Sequence, residues 1–254
     1  NLANGTHTVA VQAVAASGLE SARSTDRTFT VDANQLPQAT ITAPAENGTV
    51  STRVNGNKLN VKGTFTDDKA VNYLQLELVK DGNRVTDYTM NHDNDGLQDG
   101  NFEVNIPVAA NLADGQYNLI YTATDFENGI GPRTDHFFNI DNTKPTVTLV
   151  KPSVDIQGKN VQIEVSAEDA VGLSRITANI YKDGETTVYK PTSTAVQNGE
   201  TAATHTASVE LESGRYFVRY NAQDTAKNTS TTTDYYFTVD ADIPSAKVTK
   251  HTVN

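Results

Sequence analysis

Cysteine and tryptophan are missing from this chain of 254 residues, and methionine occurs once. No disulfide framework can therefore hold a small core together, and no cysteine nucleophile is available for covalent catalysis. Long apolar runs are missing too: nothing approaches the roughly 18 consecutive apolar residues of a membrane-spanning helix. Positive charge is short, with 20 Lys and Arg against 31 Asp and Glu and a formal net charge of -11. That balance removes the basic surface that nucleic-acid phosphates or an anionic membrane require, and it keeps copies of the chain apart. Helical spacing of apolar residues is scarce. Serine is common, yet no Gly-x-Ser-x-Gly elbow occurs. The five histidines, His7, His92, His136, His205 and His251, are scattered without the spacing of a metal-ligand set. Nothing marks any carboxylate as a proton donor or acceptor at neutral pH, so no catalytic residue is assigned and the chain is expected not to be an enzyme in itself.

What is plentiful is Thr, Val, Asn, Asp and Gly, the residues of short strands and tight turns. They fall in a repeat. Leu211-Glu-Ser-Gly214-Arg-Tyr216-Phe-Val218-Arg-Tyr220-Asn-Ala222-Gln-Asp224 has copies at Leu112 to Asp125 and at Leu2 to Ala13. Each copy is followed by a second shared segment, which ends at Asp240, Asp141 or Asp32. From Gly5 to Gly115 is 110 residues and from Gly115 to Gly214 is 99. Such periods fit whole small domains better than solenoid repeats, which run at roughly 20 to 50 residues.

Period-two alternation predicts seven strands in each full copy: Gln38-Ala43, Lys58-Thr66, Asn72-Lys80, Arg84-Met90, Asn101-Pro107, Gln116-Asp125 and Thr134-Asp141, then Thr146-Val150, Asn160-Ala167, Ser174-Lys182, Thr187-Lys190, Thr204-Leu211, Arg215-Asp224 and Thr233-Val239. Asp81-Gly82 and Asp183-Gly184 are read as hairpin turns, since Gly tolerates the positive φ that such turns demand. Residues 1-34 are the last part of a truncated unit, with strands at Thr6-Ala15 and Thr25-Asp32; residues 35-143 and 144-242 are complete units, and 243-254 begin another. The opening Asn1-Leu2-Ala3 falls inside a repeat, so the chain is expected to be part of a longer protein. Proline follows each junction, at Pro37, Pro145 and Pro244, where its fixed φ and missing donor suit the first residues of a strand. Neighbouring units are therefore expected end to end with little swing.

On the organising stretch the chain resembles the tyrosine corner of immunoglobulin-like domains, in which a Tyr near the start of strand F turns its hydroxyl onto the backbone of the preceding corner. Tyr117 and Tyr216 match that Tyr; His7 stands in its place in the first copy, where a weaker corner is expected. The longer pattern, Tyr-x-Ala-x-Asp, then Asn, then Phe-x-Val/Ile-Asp-x-x-x-Pro, is similar to tandem bacterial Ig-like repeats of large secreted or wall-anchored surface proteins. The resemblance implies an all-β fold of tandem immunoglobulin-like β-sandwiches, about seven strands each, arranged end to end. It implies an extracellular place, at the cell surface or wall, and a stalk or adhesion role. The alternative is accessory modules of a large secreted or wall-anchored protease or glycosidase that help to position substrate. Implied partners are neighbouring Ig-like domains and a host or cell-surface protein or glycan.

No cofactor is required, and calcium is the one candidate. Asn91, Asp93, Asp95 and Asp99, with Gly96 at the sixth place, match the front half of an EF-hand-like calcium loop, although Phe102 stands where the bidentate Glu belongs. A plain polar loop explains the same residues. A second acidic set comes from the ends of the units: Asp67, Asp68, Asp125 and Asp141, then Glu168, Asp169, Asp224 and Asp240. If strand ends meet at one pole, these carboxylates gather at a junction where calcium would stiffen the array; otherwise Asp125 and Asp224 cap loop amides. Tyr181, Tyr189, Tyr220, Tyr235 and Tyr236 could stack on sugars, and Lys62 is the one lysine suited to a Lys-Asn isopeptide bond.

Overall fold

Alternation decides which way each strand faces, and the computed structural model, which describes residues 2–91, 97–153, 155–197 and 199–242, follows it closely. The first elements are a two-stranded antiparallel hairpin, β1 (Gly5–Val9) and β2 (Arg27–Val31). They are followed by β3 (Gln38–Ala43), β4 (Thr49–Val50), β5 (Lys58–Thr66), β6 (Val71–Lys80), β7 (Asn83–Asn91), β8 (Asp99–Pro107), β9 (Gly115–Asp125) and β10 (Thr134–Ile140). Sheets β3-β5-β8 and β4-β10-β9-β6-β7 face each other. The plan then recurs as β11 (Thr146–Lys151), β12 (Ile156–Gln157), β13 (Asn160–Glu168), β14 (Leu173–Lys182), β15 (Ser193–Ala195), β16 (Ala202–Glu210), β17 (Gly214–Asp224) and β18 (Thr233–Asp240). Its sheets are β11-β13-β16 and β12-β18-β17-β14-β15. No described residue is helical. Two facing sheets with this strand order, antiparallel but for the short β4 and β12, are the immunoglobulin-like sandwich, and the fold is all-β.

Each sandwich buries its own core. In the first, Leu59, Val61 and Phe65 of β5 and Phe102, Val104 and Ile106 of β8 face Leu74, Leu76, Leu78, Leu119 and Phe138 of the other sheet. In the second, Val161, Ile163 and Val165 face Ile176, Ala178, Ile180, Val218 and Phe237. Burying one such large aliphatic or aromatic side chain contributes about 1.5–3 kcal/mol, so these faces stabilise the sandwiches without a disulfide.

Differences from the sequence expectations have local causes. Two short strands, β4 and β12, lie parallel to β10 and β18 and raise the count in each unit. Each follows a register shift, between Ile41 and Ala43 or between Leu149 and Lys151, and a cis proline, Pro44 or Pro152. Two-residue strands are too short to show alternation. The segment Thr187–Lys190 is not a strand: only Lys190 bridges to Ile180, and the partner of β14 is β15, Ser193–Ala195. Asp81-Gly82, both at positive φ, closes a tight hairpin between β6 and β7, whereas the Asp183-Gly184 turn leads into irregular chain.

The tyrosine hydroxyls reach back four residues: Tyr117 donates to the Ala113 carbonyl at 2.6 Å and Tyr216 to that of Glu212 at 3.1 Å. His7 spans the same four residues, its Nε2 lying 2.6 Å from the Ala3 carbonyl. The histidine thus makes the same link in the hairpin that tyrosine makes in the sandwiches.

The two cores are built from different shapes on the same backbone. Gly63 of β5 pairs with Phe102 of β8, and Phe65 pairs with Gly100. A Cβ at Gly63 would sit 2.2 Å from the Thr40 carbonyl oxygen and 2.6 Å from the Phe102 ring; one at Gly100 would sit 2.8 Å from the Phe65 ring. The matching pair in the second sandwich is Val165 with His205, which is buried between Thr192 and Thr194. Gly63→Ala is accordingly expected to push β3 off β5 and to cost at least about 1–3 kcal/mol. Calorimetry should show the first sandwich melting several degrees lower while the second is unmoved; an unchanged first transition would refute the packing argument.

Candidate functional site

At the pole where one sandwich meets the linker before it, three elements converge. Strand β9 or β17 ends in an aspartate, Asp125 or Asp224; strand β5 or β13 is followed by another, Asp67 or Asp169; and the linker itself brings polar side chains. Asp125 and Asp224 are both fully buried. Their Oδ1 atoms accept backbone N–H bonds that close the following turn: from Glu127 and Gly129 at 2.8 Å each, and from Asn228 at 2.8 Å. Asp67 takes the amides of Lys69 and Ala70, and Asp169 takes those of Val171 and Gly172. This is the loop-capping use of aspartate.

Capping leaves a surplus of negative charge at the second junction. Asp141, the residue after β10, contributes a carboxylate oxygen to a group with Asp169 and Asp224 in which all three lie within 4.8 Å of one another. Their exposures are 1%, 8% and 0%. Thr143 N donates to Asp141 Oδ1 at 3.1 Å, but Oδ2 is buried without a hydrogen-bond partner. Burial first, with the opposing Thr143 bond second and repulsion from Asp224, Asp169 and Asp114 after it, pushes the Asp141 carboxyl up from 3.8 to about 6. Burial also raises Asp224, against the bonds from Asn228. Buried like charges with an orphaned acceptor oxygen are the setting that a hard divalent cation satisfies.

The linker that carries Asp141 is tied on both sides. Asn142 Oδ1 accepts from Ser51 Oγ (3.0 Å), Thr52 N (3.0 Å), Thr52 Oγ1 (3.2 Å) and Arg53 N (3.2 Å), and its Nδ2 donates to the Leu112 carbonyl (3.2 Å). Asp114 accepts from Asn142 N and from the Thr143 hydroxyl. Those contacts fix the linker to the first sandwich. Asn228 Nδ2 from the second reaches the Asp141 carbonyl at 2.9 Å and Asp224 Oδ2 at 2.8 Å. Sequence reasoning did not single out Asn142 or Asp114, and it met Asn228 only as the Asn of the repeat pattern; for Asn142, an Asn directly after the repeat aspartate was the available signal.

Asn91 ends β7 and Asp99 opens β8, while Asp93 and Asp95 lie outside the described residues. Glu168 is exposed at the end of β13, and Asp240 Oδ1 accepts from Asp242 N at 3.2 Å, so neither joins the cluster. Lys62 is half exposed and pairs with Glu103 at 3.0 Å, which denies it the buried setting that an isopeptide bond needs. The tyrosines do not form an open platform. Tyr181 is buried and stacks on Phe217 at 4.8 Å; Phe217 meets Tyr236 at 5.1 Å, and Arg219 and Arg215 lie over these rings while paired with Asp234 and Asp183. Tyr189, Tyr220 and Tyr235 pack against the core.

No family model matches the chain, and no curated protein sequence matches it. Solved structures do. The chain is similar to fibronectin(III)-like modules of Clostridium thermocellum CbhA, with 20% identity over 83% of this chain and 99% of that one and a TM-score of 0.46. It is similar to a tetra-tandem repeat from the extending region of a large adhesion protein, 20% identical over 95% of this chain and 58% of that one, TM-score 0.38. A third is a Ca2+-stabilized adhesin with which an Antarctic bacterium binds ice, 19% identical over 92% and 57% of the two chains, TM-score 0.38. The assignment of the fold rests on the strand order and register described above.

Asp141 gives a pH test with a defined sign. Its folded pKa lies above its unfolded one, so its contribution to stability is fully present below about pH 3.8 and is lost as pH rises through about 6. In metal-free buffer at pH 7.5, Asp141→Asn should therefore raise the melting temperature by several degrees, and the gain should shrink towards pH 4.5. Equal melting temperatures at both pH values would contradict a strained carboxylate group.

Proposed function

We propose that this chain is a non-catalytic spacer of an extracellular surface protein. It is an end-to-end array of immunoglobulin-like domains, with boundaries near residues 34, 143 and 242, that sets a binding head away from a cell surface or wall, or presents a ligand-binding surface of its own. One observation carries this: the Asp141-Asn142 linker is bonded by side chains of both sandwiches and brings a buried carboxylate to two others across the junction. A tether that only had to connect domains would not need such a brace. Asp141, Asp169 and Asp224 are the residues that would hold a divalent cation, and calcium, a hard ion that takes oxygen ligands, is the choice. Bound, it supplies the positive charge that cancels their repulsion. What the chain's own residues do is hold the carboxylates in place: amides 171 and 172 fix Asp169, Asn228 fixes Asp224, and Asn142 fixes the linker. On sequence grounds Asn91, Asp93, Asp95 and Asp99 are proposed as a second calcium position; Asp93→Ala with Asp95→Ala should then lower the number of bound ions by one.

The partners in this reading are the neighbouring Ig-like domains and a surface protein or glycan. Small-angle scattering tests the array: a compact chain of this length has a radius of gyration of about 18 Å, and a value clearly above that is expected. Millimolar calcium should raise the melting temperature by a few degrees and chelator should reverse it, through binding to the folded state. A melting temperature unmoved by either removes the cation from the proposal and leaves the spacer.

A further inference from the structure

The junction before the first sandwich is assembled from the same parts and closed differently. Asp32, which ends its repeat segment as Asp141 does, does not turn into the cluster; its carboxylate takes the Lys69 ammonium at 2.5 Å. The residue that matches Lys69 in the second sandwich is Val171, which carries no charge. The linker is one residue longer, five steps from Asp32 to Pro37 against four from Asp141 to Pro145. The extra length brings Asn34 into the pole, where its Nδ2 donates to Asp125 Oδ2 at 2.6 Å. Gly129, which stands where the second sandwich has Asn228, leaves the room: a Cβ there would lie 2.4 Å from Asp125 Oδ2 and 2.7 Å from Asn34 Nδ2. Gln35 N adds a bond to Asp68 Oδ1 at 3.1 Å. An amide donor and an ammonium thus occupy the junction that in its successor holds a third carboxylate.

We propose that the two junctions answer differently to divalent cation: the Asp141 junction closes when a cation binds, whereas the Asn34 junction is latched by the chain's own Lys69 ammonium and Asn34 amide. The proposal rests on the cation reading of Asp141, Asp169 and Asp224 given above. Its consequence is that removing the cation loosens the array at one chosen place, residues 141 to 145, and leaves the preceding joint set. Two acceptors of the first junction, Asp67 Oδ1 and Asn34 Oδ1, are buried without partners, so a cation drawn there is the competing outcome.

The chain has no native cysteine, which makes paired spin labels unambiguous. Cysteines at Thr28 and Asn101 would report on the first junction and at Asn101 and Ser208 on the second, each distance distribution being measured in the full chain with EDTA and with millimolar calcium. The second distribution should narrow at least twofold in calcium while the first is equally narrow in both solutions. A first distribution that narrows with calcium overturns this proposal and leaves the Asp141 site standing. A second distribution unmoved by calcium overturns the Asp141 site itself, and the proposal with it. Asn34→Asp combined with Lys69→Val should convert the first junction, giving a distribution broad in EDTA and narrow in calcium, whereas Lys69→Arg should leave it narrow in both. A converted variant that stays narrow in EDTA shows that the latch is not what holds the joint, and overturns the proposal.

Discussion

A carboxylate withdrawn from water has to be met by donors or by positive charge, and Asp125 and Asp224 set that demand at the pole of each sandwich. Each ends the central strand of its larger sheet, β9 or β17, and each is fully buried. The turn to β10 or β18 closes around it with backbone amides, which fixes the hairpin and so the start of the next strand. The second carboxylate oxygen is left for whatever the neighbouring linker provides. Much of the difference between the two halves of the chain follows from what fills that place: an amide from the linker at Asp125, and an amide from the same loop at Asp224, which frees the linker to bring Asp141 instead.

The opposite pole and the sheets depend on a simpler rule. Apolar residues at every second position supply one dry face per strand, and the tyrosine corners pin the crossing between sheets with a hydroxyl on a carbonyl four residues back. A corner needs only one donor and a ring of suitable reach. That is why His7 replaces tyrosine in the hairpin and still makes the bond.

The sandwich was legible in the sequence because long strands repeat their alternation several times over; β5, β6, β9, β13, β14 and β17 lie within a few residues of their expected bounds. The elements that were not legible are those in which the determining contact is distant. β4 and β12 are two residues long and exist only because β10 and β18 offer an edge. β15 displaces the expected Thr187–Lys190 strand because Ser193–Ala195 can pair along Arg175–Thr177 while Lys190 makes a single bridge. At the junction, composition showed which carboxylates stand at strand ends, but not that Asp141 would leave its own unit to meet Asp169 and Asp224, since that depends on linker length and on the Asn228 amide. Lys69 and Asn34 were invisible for the same reason: each acts on a residue 37 or 91 positions away.

The unlike packing of β5 against β8 and of β13 against β16 bears on how such a chain is made. Tandem copies of one fold risk exchanging strands as they emerge from synthesis, and exchanged strands that fit would be trapped. Here β5 carries a glycine and a phenylalanine where β13 carries valine and alanine, and β8 answers with Phe102 and Gly100 where β16 has His205 and Ala203. Strand β13 set against β8 would place Val165 against Phe102 and Ala167 against Gly100, two bulky side chains at one position and two small ones at the next, where β5 sets small against large at both. The diagonal that fills the first core therefore disfavours that exchange between adjacent copies while the chain is still finding its partners.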